Sequence, residues 1–280
     1  MKSYSGRLLK YEMEAALKYL LLGLVAVIAL YPFLWVVISS LKDNNEIFGN
    51  SFGLPHIVRW GNFMEAWSGA KVESSFFNSI IVCLVTVAFL AVITSMGSYV
   101  LTRVTKSRIL STYFLLGLMI PIHALLIPSV LIFKVLHLQD SLFSLVIVYT
   151  AVNISFSMFI MNGFLQKIPK EIDEAATIDG CGTCRLFFYI LLPMAKPGIA
   201  TIATLAFLNS WNDLLLSLVL ISTPAKRTLS LAISVLKGSY MTRYGLLCAG
   251  FVISIAPVVL MYLVFQKQVI AGMTAGAIKS

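Results

Sequence analysis

Six runs of mostly apolar residues dominate this sequence, at roughly 19–41, 76–101, 109–133, 141–165, 198–221 and 245–266. A helix needs about 20 such residues to cross the hydrocarbon core of a bilayer. Inside lipid, every backbone N–H and C=O must find a partner within the protein, so only helices and closed barrels can span. These runs are continuously apolar and do not alternate, which selects helices. Composition agrees: the chain is 59% hydrophobic and 12% charged, where a soluble domain carries about a quarter charged residues. The expected fold class is an all-α integral membrane protein of six transmembrane helices, with a loop of 166–197 between spans four and five.

Lys and Arg set the orientation of such a chain. With the N-terminus inside, the inside segments hold 13 basic residues and the outside segments 8. The tight RVTKSR loop at 103–108 is the clearest single inside signal. Residues 1–18 place Leu8, Leu9, Met13, Ala16 and Leu17 on one helical face, which suits a cytoplasmic interfacial helix. The expected domains are that helix, a six-span transmembrane domain over 19–266, and a cytoplasmic tail over 267–280. The net charge of +9 is scattered along the chain, with no basic block that would track nucleic acid. Cys181 and Cys184 form a C-x-x-C without the βαβ context of a redox motif or the further ligands of a zinc site. His56, His123 and His137 do not cluster with the acids or nucleophiles that a membrane enzyme would need.

The stretch EIDEAATIDGCGTCRLFFYILLP, residues 171–193, breaks this pattern. Four of the chain's 12 acids, Glu171, Asp173, Glu174 and Asp179, fall within nine residues of the longest inside loop. Pro169 favours a helix start, and acids in a first turn suit the helix dipole. Ile168, Ile172, Ala175 and Ala176 form a small apolar face. Asp179-Gly180 ends the helix, since Gly accepts a left-handed conformation and Asp179 can cap the next segment. The apolar Leu186–Leu192 is suited to lie against the membrane, and Pro193 and Pro197 break the chain before span five. Two readings of the loop remain on these grounds: a short helix built to be gripped by a partner, or a solvated loop whose acids serve solubility.

Glu174-Ala175-Ala176, three residues, Gly180, nine residues, and Ile190-x-Leu192-Pro193 match E-A-A-x3-G-x9-I-x-L-P at every defined position. This resembles the EAA motif of importer-type ABC transporter permeases. Gly180 also stands 100 residues from the C-terminus. With Asn209-Ser210-Trp211-Asn212-Asp213 and the tail TAGAIKS, the chain looks like the carbohydrate-uptake branch, similar to the shorter maltose-transporter permease. The resemblance implies a coupling helix that docks on an ATP-hydrolysing subunit, with Gly180 turning the chain and Glu174 and Asp179 making polar contacts there. It implies a second homologous permease as heterodimer partner, an ATPase dimer, an extracytoplasmic solute-binding protein and a sugar substrate. It implies a prokaryotic plasma (inner) membrane location with both termini cytoplasmic. No G-x4-G-K-[ST] occurs in the chain, so ATP and Mg would be used by the partner ATPase, with no cofactor held here.

Polar residues inside spans are suspects for function. Asn209, Asn212 and Asp213 beside Trp211 suit a sugar path, hydrogen-bonding groups next to an aromatic face. The same groups can instead bond between helices and hold a bundle together. Asn78, Asn153 and Asn162 are similar candidates. An importer permease for a polyol, amino sugar or peptide is the alternative within the class. A stand-alone secondary transporter would need ionisable residues buried in mid-span, and only Asp213 approaches that.

Overall fold

The structure is a computed structural model that describes residues 2–69, 71–105, 107–236 and 242–277, with side chains between Glu12 and Gln266. The main helices are α1 (Lys2–Ser40), α2 (Asn44–Gly49), α3 (Val72–Tyr99), α4 (Arg108–Gly117), α5 (Leu126–Val135) and α6 (Leu142–Lys167). They are followed by α7 (Glu171–Ile178), α8 (Lys196–Asn212), α9 (Leu215–Leu220), α10 (Leu229–Val235) and α11 (Tyr244–Ala277). Short helical turns join them, and no strand occurs among the described residues.

Four of the six apolar runs form single helices long and apolar enough to cross a membrane: Glu12–Ser40, Val72–Val104, Leu142–Lys167 and Tyr244–Gln266. The other two differ from straight spans. Residues 109–133 were expected as one helix, but Arg108–Gly117 and Ile122–Val135 meet at 90°. Pro121 has no N–H with which to extend the ladder. Ahead of it, Met119 and Ile120 turn their N–H groups to carbonyls only three residues back, at 3.0 and 3.4 Å. The expected fifth span, 198–221, stops at Asn212 and resumes as α9 after a break at Asp213, whose ψ of 131° is extended. A second bent pair is Thr183–Met194 with Lys196–Asn212, at 69°, and with each bent pair counted as one span the total is six.

The first helix is unbroken from Lys2, so no backbone break marks off residues 1–18. The side chains of Leu8 and Leu9 lie outside the described residues, as do Ile278, Lys279 and Ser280 of the tail.

The chain divides into two units, one of residues 1–69 and 236–253, the other of residues 70–235 and 254–280. In the larger unit α3 packs on both α6 and α8, and α8 packs on α6. Lipid tails are as apolar as leucine, so helices gain little by burying large apolar side chains against each other. Close approach through small residues serves instead. Ser79, Thr86, Thr94, Ser95 and Ser98 of α3 are buried, with Ser144 and Ser157 of α6 and Thr201 and Thr204 of α8. A Cβ at Gly198 would come within 2.8 Å of the Phe164 ring, and one at Gly97 within 3.2 Å of Met158 Sδ. Large side chains such as Leu84, Val92, Leu131 and Leu218 face outward.

Beyond the end of α5, Asp140 ties the turn before α6 to the segment after α9. Its carboxylate accepts from the Ser222 and Thr223 N–H groups, both at 2.9 Å, and from the Thr223 hydroxyl at 2.5 Å. Lys226 Nζ stands 3.2 Å away. Burial raises the Asp140 pKa, but the hydrogen bonds from Thr223, Ser222 and Lys226 outweigh it and hold the carboxyl well below its ordinary range.

The smaller unit is organised by two polar side chains. Asn62 Nδ2 donates to the Ser40 and Lys42 carbonyls at 2.8 and 2.9 Å. Lys42 is fully buried, and its Nζ donates to the Asn50 and Gly53 carbonyls at 2.8 and 2.5 Å. Two carbonyls solvate the ammonium, and no carboxylate pairs with it among the described residues. Around this turn Ala66, Leu246 and Ala249 pack with Phe63, Leu236 and Ile253.

Two outcomes are expected. A Cβ at Gly245 would lie 2.1 Å from the Lys42 carbonyl oxygen, so Gly245→Val lowers stability by about 1–3 kcal/mol, measurable as a lower unfolding temperature in detergent. Asp140→Ala costs about 1–3 kcal/mol at neutral pH. Because the folded-state pKa of Asp140 is lowered, its contribution is complete above about pH 4 and fades as the pH falls through the folded value. The deficit of the variant therefore shrinks in acid, and a pH-independent deficit would contradict the assignment.

Candidate functional site: the acidic loop

α6 ends because Pro169 follows Ile168, and the residue before a proline is driven to extended backbone; Ile168 has ψ 121°. α7 starts two residues after the proline, with Glu171, Asp173 and Glu174 in its first turn, where the positive end of the helix favours them. It stops in a Schellman motif. Gly180 takes φ +77°, its N–H donates to the Thr177 carbonyl at 3.0 Å, and the Cys181 N–H reaches back to Ala176 at 2.9 Å. The left-handed backbone at this position is what glycine supplies without strain.

The apolar side of α7 is divided. Ile168 and Ala176 are buried, and with Ile172 they pack on Tyr99, Leu165, Leu186, Phe187 and Leu191. Ala175 points the other way and is exposed with Glu174, Asp179 and Ile178, the last 85% exposed. Three of the four apolar positions therefore anchor α7 to its own unit. The outer face that remains carries a carboxylate at each end and small or aliphatic groups between. Asp179 is the C-cap of α7, and its side chain caps nothing among the described residues, contrary to the role expected for it.

The return leg begins at Thr183 and loosens into a π-helical turn, Leu186–Leu191. Leu191 is buried, Ile190 and Leu192 pack at the edge of the same core, and Pro193 is exposed. The chain then bends by 69° at Ala195 into α8. Pro197 falls in the first turn of α8, where its missing N–H is harmless.

In sequence, Arg103 signals only orientation. In the structure it fastens the loop. Its Nη2 donates to the carbonyls of Leu165 at 3.0 Å and Ile168 at 2.7 Å at the end of α6; the Leu165 carbonyl also accepts the Ile168 N–H at 3.2 Å. Its Nε lies 3.2 Å from Asp173 Oδ2, and the Arg103 side chain is only 6% exposed. Four residues earlier, the Tyr99 hydroxyl donates to the Thr183 carbonyl at 3.4 Å, and the Tyr99 and Phe187 rings lie 5.0 Å apart. Tyr99 and Arg103 share one helical face, so the end of one span grips both legs of the loop. A basic residue four positions after an aromatic at a span end, in a chain with one acid-rich loop, was the available signal.

The second group of candidates lies around the break after α8. Asp213 accepts from the Leu216 and Ser217 N–H groups at 3.4 and 3.1 Å and from the Tyr149 hydroxyl at 2.8 Å. It supplies the cap that α9 requires. Trp211 is buried, with Nε1 donating to the Ser254 carbonyl at 3.1 Å and its ring stacked on Phe207 at 5.4 Å. Phe76 meets the same ring edge-on at 5.7 Å. Its aromatic face is thus covered by the protein, which does not suit the sugar platform expected of it. Asn209 donates to Asn153 Oδ1 at 2.9 Å, and Asn153 donates to the Tyr149 carbonyl at 2.8 Å. Asn209 and Asn212 are the exposed members of the four. Asn78 bonds the Ala225 and Arg227 carbonyls, at 2.9 and 3.0 Å.

Arg103→Met takes the guanidinium from the Ile168 carbonyl and from Asp173 in a largely buried setting, which costs about 2–4 kcal/mol locally. Hydrogen exchange across 168–190 is expected to accelerate while exchange in the middle of α3 and α6 does not. Unchanged exchange in the loop would show that Arg103 is not its fastening.

Comparison with known proteins places this architecture. The family described as binding-protein-dependent transport system inner membrane component matches residues 91–274. A diacetylchitobiose uptake system permease protein of Streptomyces coelicolor is 34% identical over 95% of this chain and 89% of its own length. A sulfoquinovosyl glycerol transport system permease protein of Agrobacterium fabrum is 31% identical over 94% and 93%. A probable starch degradation products transport system permease protein of Thermoanaerobacterium thermosulfurigenes is 33% identical over 94% and 97%. A solved bacterial ABC transporter involved in alginate import shares the fold, with a TM-score of 0.79, 24% identity, and coverage of 91% of this chain and 96% of that one. A helical membrane chain that holds an acidic loop helix rigidly against its span ends, and that matches this family across the loop and the spans around it, belongs to the binding-protein-dependent transport system inner membrane components, the permeases of ABC importers.

Proposed function

We propose that this chain forms half of the translocation pathway of an ATP-driven importer for a sugar or oligosaccharide, with a second homologous permease forming the other half. An ATPase dimer docks on the loop, and an extracytoplasmic binding protein delivers the solute. The observation that carries the reading is the division of α7: one face locked to the span ends through Ile168, Ile172, Ala176 and Arg103, the other exposed. A helix that only solvated a loop would not need its first turn pinned to two spans.

The mechanics stem from that division. Docking on Glu174, Ala175, Ile178 and Asp179 lets the ATPase push and pull on α7. Asp173 and Arg103 pass the displacement to the ends of α3 and α6 directly. The return leg, Ile190 to Pro193, passes it to α8 through the bend at Ala195. Rigid-body movement of this bundle then alternates access between the two sides of the membrane. ATP and Mg belong to the ATPase. The loop faces the cytoplasm, as do both termini, in a prokaryotic inner membrane.

The sugar class is supported by the relatives named for diacetylchitobiose, sulfoquinovosyl glycerol and starch degradation products. Asn209 and Asn212, exposed and one helical turn apart on α8, are the side chains of this cluster placed to meet such a solute. Asp213 and Trp211 hold the break in place behind them.

The test is Gly180→Leu. Its Cβ meets nothing within 4 Å, but φ is +77°, so the change strains the turn by about 1–2 kcal/mol and adds bulk to the docking face. The variant is expected to insert normally, to lose ATP-driven uptake and to release the ATPase on purification. Normal uptake in this variant would remove α7 from the coupling role.

A further inference from the structure

A cavity of about 440 Å³ opens beside the coupling loop, where the end of α3 meets the start of α4 and the end of α6. Arg103, Arg108, Thr112, Gln166 and Lys170 supply polar atoms to its lining. The charges do not cancel. Arg103 is matched by Asp173, while Arg108 and Lys170, both exposed, have no ion-pair partner among the described residues. Glu171 and Glu174, the nearest other acids in sequence, pair with neither among the described residues. The cavity therefore holds a surplus of two positive charges. It also lies at the positive end of α4, where Ser107 caps only the Leu110 N–H.

The second observation is the helix that forms one wall. α4 carries Arg108, Ser111 and Thr112 toward the cavity, while Ile109, Tyr113 and Leu116 are 83%, 69% and 56% exposed. These three have a spacing of four and three, which makes one apolar stripe beside the basic one. With the 90° bend between Gly117 and Ile122, α4 and the 122–135 segment each cross the bilayer obliquely, and the Arg108 end of α4 lies at the bilayer surface. An amphipathic helix in that position has its apolar stripe in the acyl region and its basic edge at the headgroups.

We propose that this cavity binds the phosphate-bearing headgroup of an anionic phospholipid, with Arg108 and Lys170 as its charged ligands and Thr112 and Gln166 as hydrogen-bond donors. The acyl chains lie along Ile109, Tyr113 and Leu116. A free phosphate would satisfy the basic edge and leave this stripe uncovered. An acidic surface of a partner subunit would do the same, so the lipid is the occupant that fits both. Basic cavities between spanning helices are suited to such headgroups in general. The proposal does not depend on which solute is carried. A bound lipid here would touch Lys170, the residue before α7, and so bear on the loop that Arg103 fastens.

The test uses the chain purified in neutral detergent with its co-assembling subunits and stripped of lipid. Short-chain phosphatidylglycerol is titrated in, and bound lipid is counted by native mass spectrometry. Phosphatidylcholine of the same chain length tests the charge requirement, and glycerol phosphate tests for a free phosphate ligand. Each basic side chain near an anionic headgroup is worth roughly fivefold in affinity, so R108Q/K170Q is expected to weaken phosphatidylglycerol by roughly 25-fold. R108K/K170R is expected to retain it, and K134Q, elsewhere in the chain, to leave it unchanged. Retention of the co-assembling subunits by the double variant shows that its fold is intact. Equal binding of phosphatidylglycerol by the double variant and the native chain would overturn the site. Glycerol phosphate binding as tightly as the lipid, or loss of the ATPase from the double variant with lipid binding unchanged, would overturn the lipid as its occupant.

Discussion

The guanidinium of Arg103 joins three parts of the chain. It satisfies the carbonyls of Leu165 and Ile168 at the end of α6, lies 3.2 Å from Asp173 in α7, and is itself rooted at the end of α3. Helix ends always leave carbonyls without partners. Water would satisfy them at an open end, but such an end would be soft. A planar group with several fixed donors makes the junction stiff. The buried face of α7 is held against the bundle, and its outer face stays exposed.

The same rule of satisfied backbone governs the breaks inside the membrane-spanning part. A span interrupted in lipid must find partners for the groups it frees. At Asp213 the carboxylate takes two of the N–H groups that α9 presents, and Tyr149 donates a third bond to it. Near Pro121 the bend is accommodated by tightened turns over Leu116–Ile120. An acid in mid-span, read by itself, suggests ion coupling or substrate contact. Surrounded by these donors, it reads as the cap of a broken helix, and the exposed asparagines on α8 are left as the polar groups that face outward.

Much of this protein was legible in its residues. The membrane class came from the apolar runs, and the short loop helix with its glycine end from four acids, Pro169 and Gly180. The left-handed Gly180 was expected at that position, and it is there, because the end of a helix before a turn has few alternatives. The inward turn of Ile172 and Ala176 against the outward turn of Ala175 was not legible, since all four apolar positions lie on one arc of a helical wheel. Which part of the arc is covered depends on where Phe187 and Leu191 return to pack. Arg103 likewise carried one meaning in sequence, its charge, and another in space, its reach to two carbonyls and a carboxylate 62 to 70 residues away.

The sequence by itself determined that the chain is helical and lives in lipid, where four of its spans run, and where an acid-rich loop helix interrupts them. These are local matters: runs of apolar side chains, proline and glycine punctuation, and acids at a helix start. The tertiary structure decided that two of the spans are bent, that Trp211 and Asp213 serve the fold, and that Arg103 binds the loop to the bundle. Each of those depends on groups distant in sequence meeting at one depth, and a backbone group freed in lipid takes whichever partner the packing brings to it.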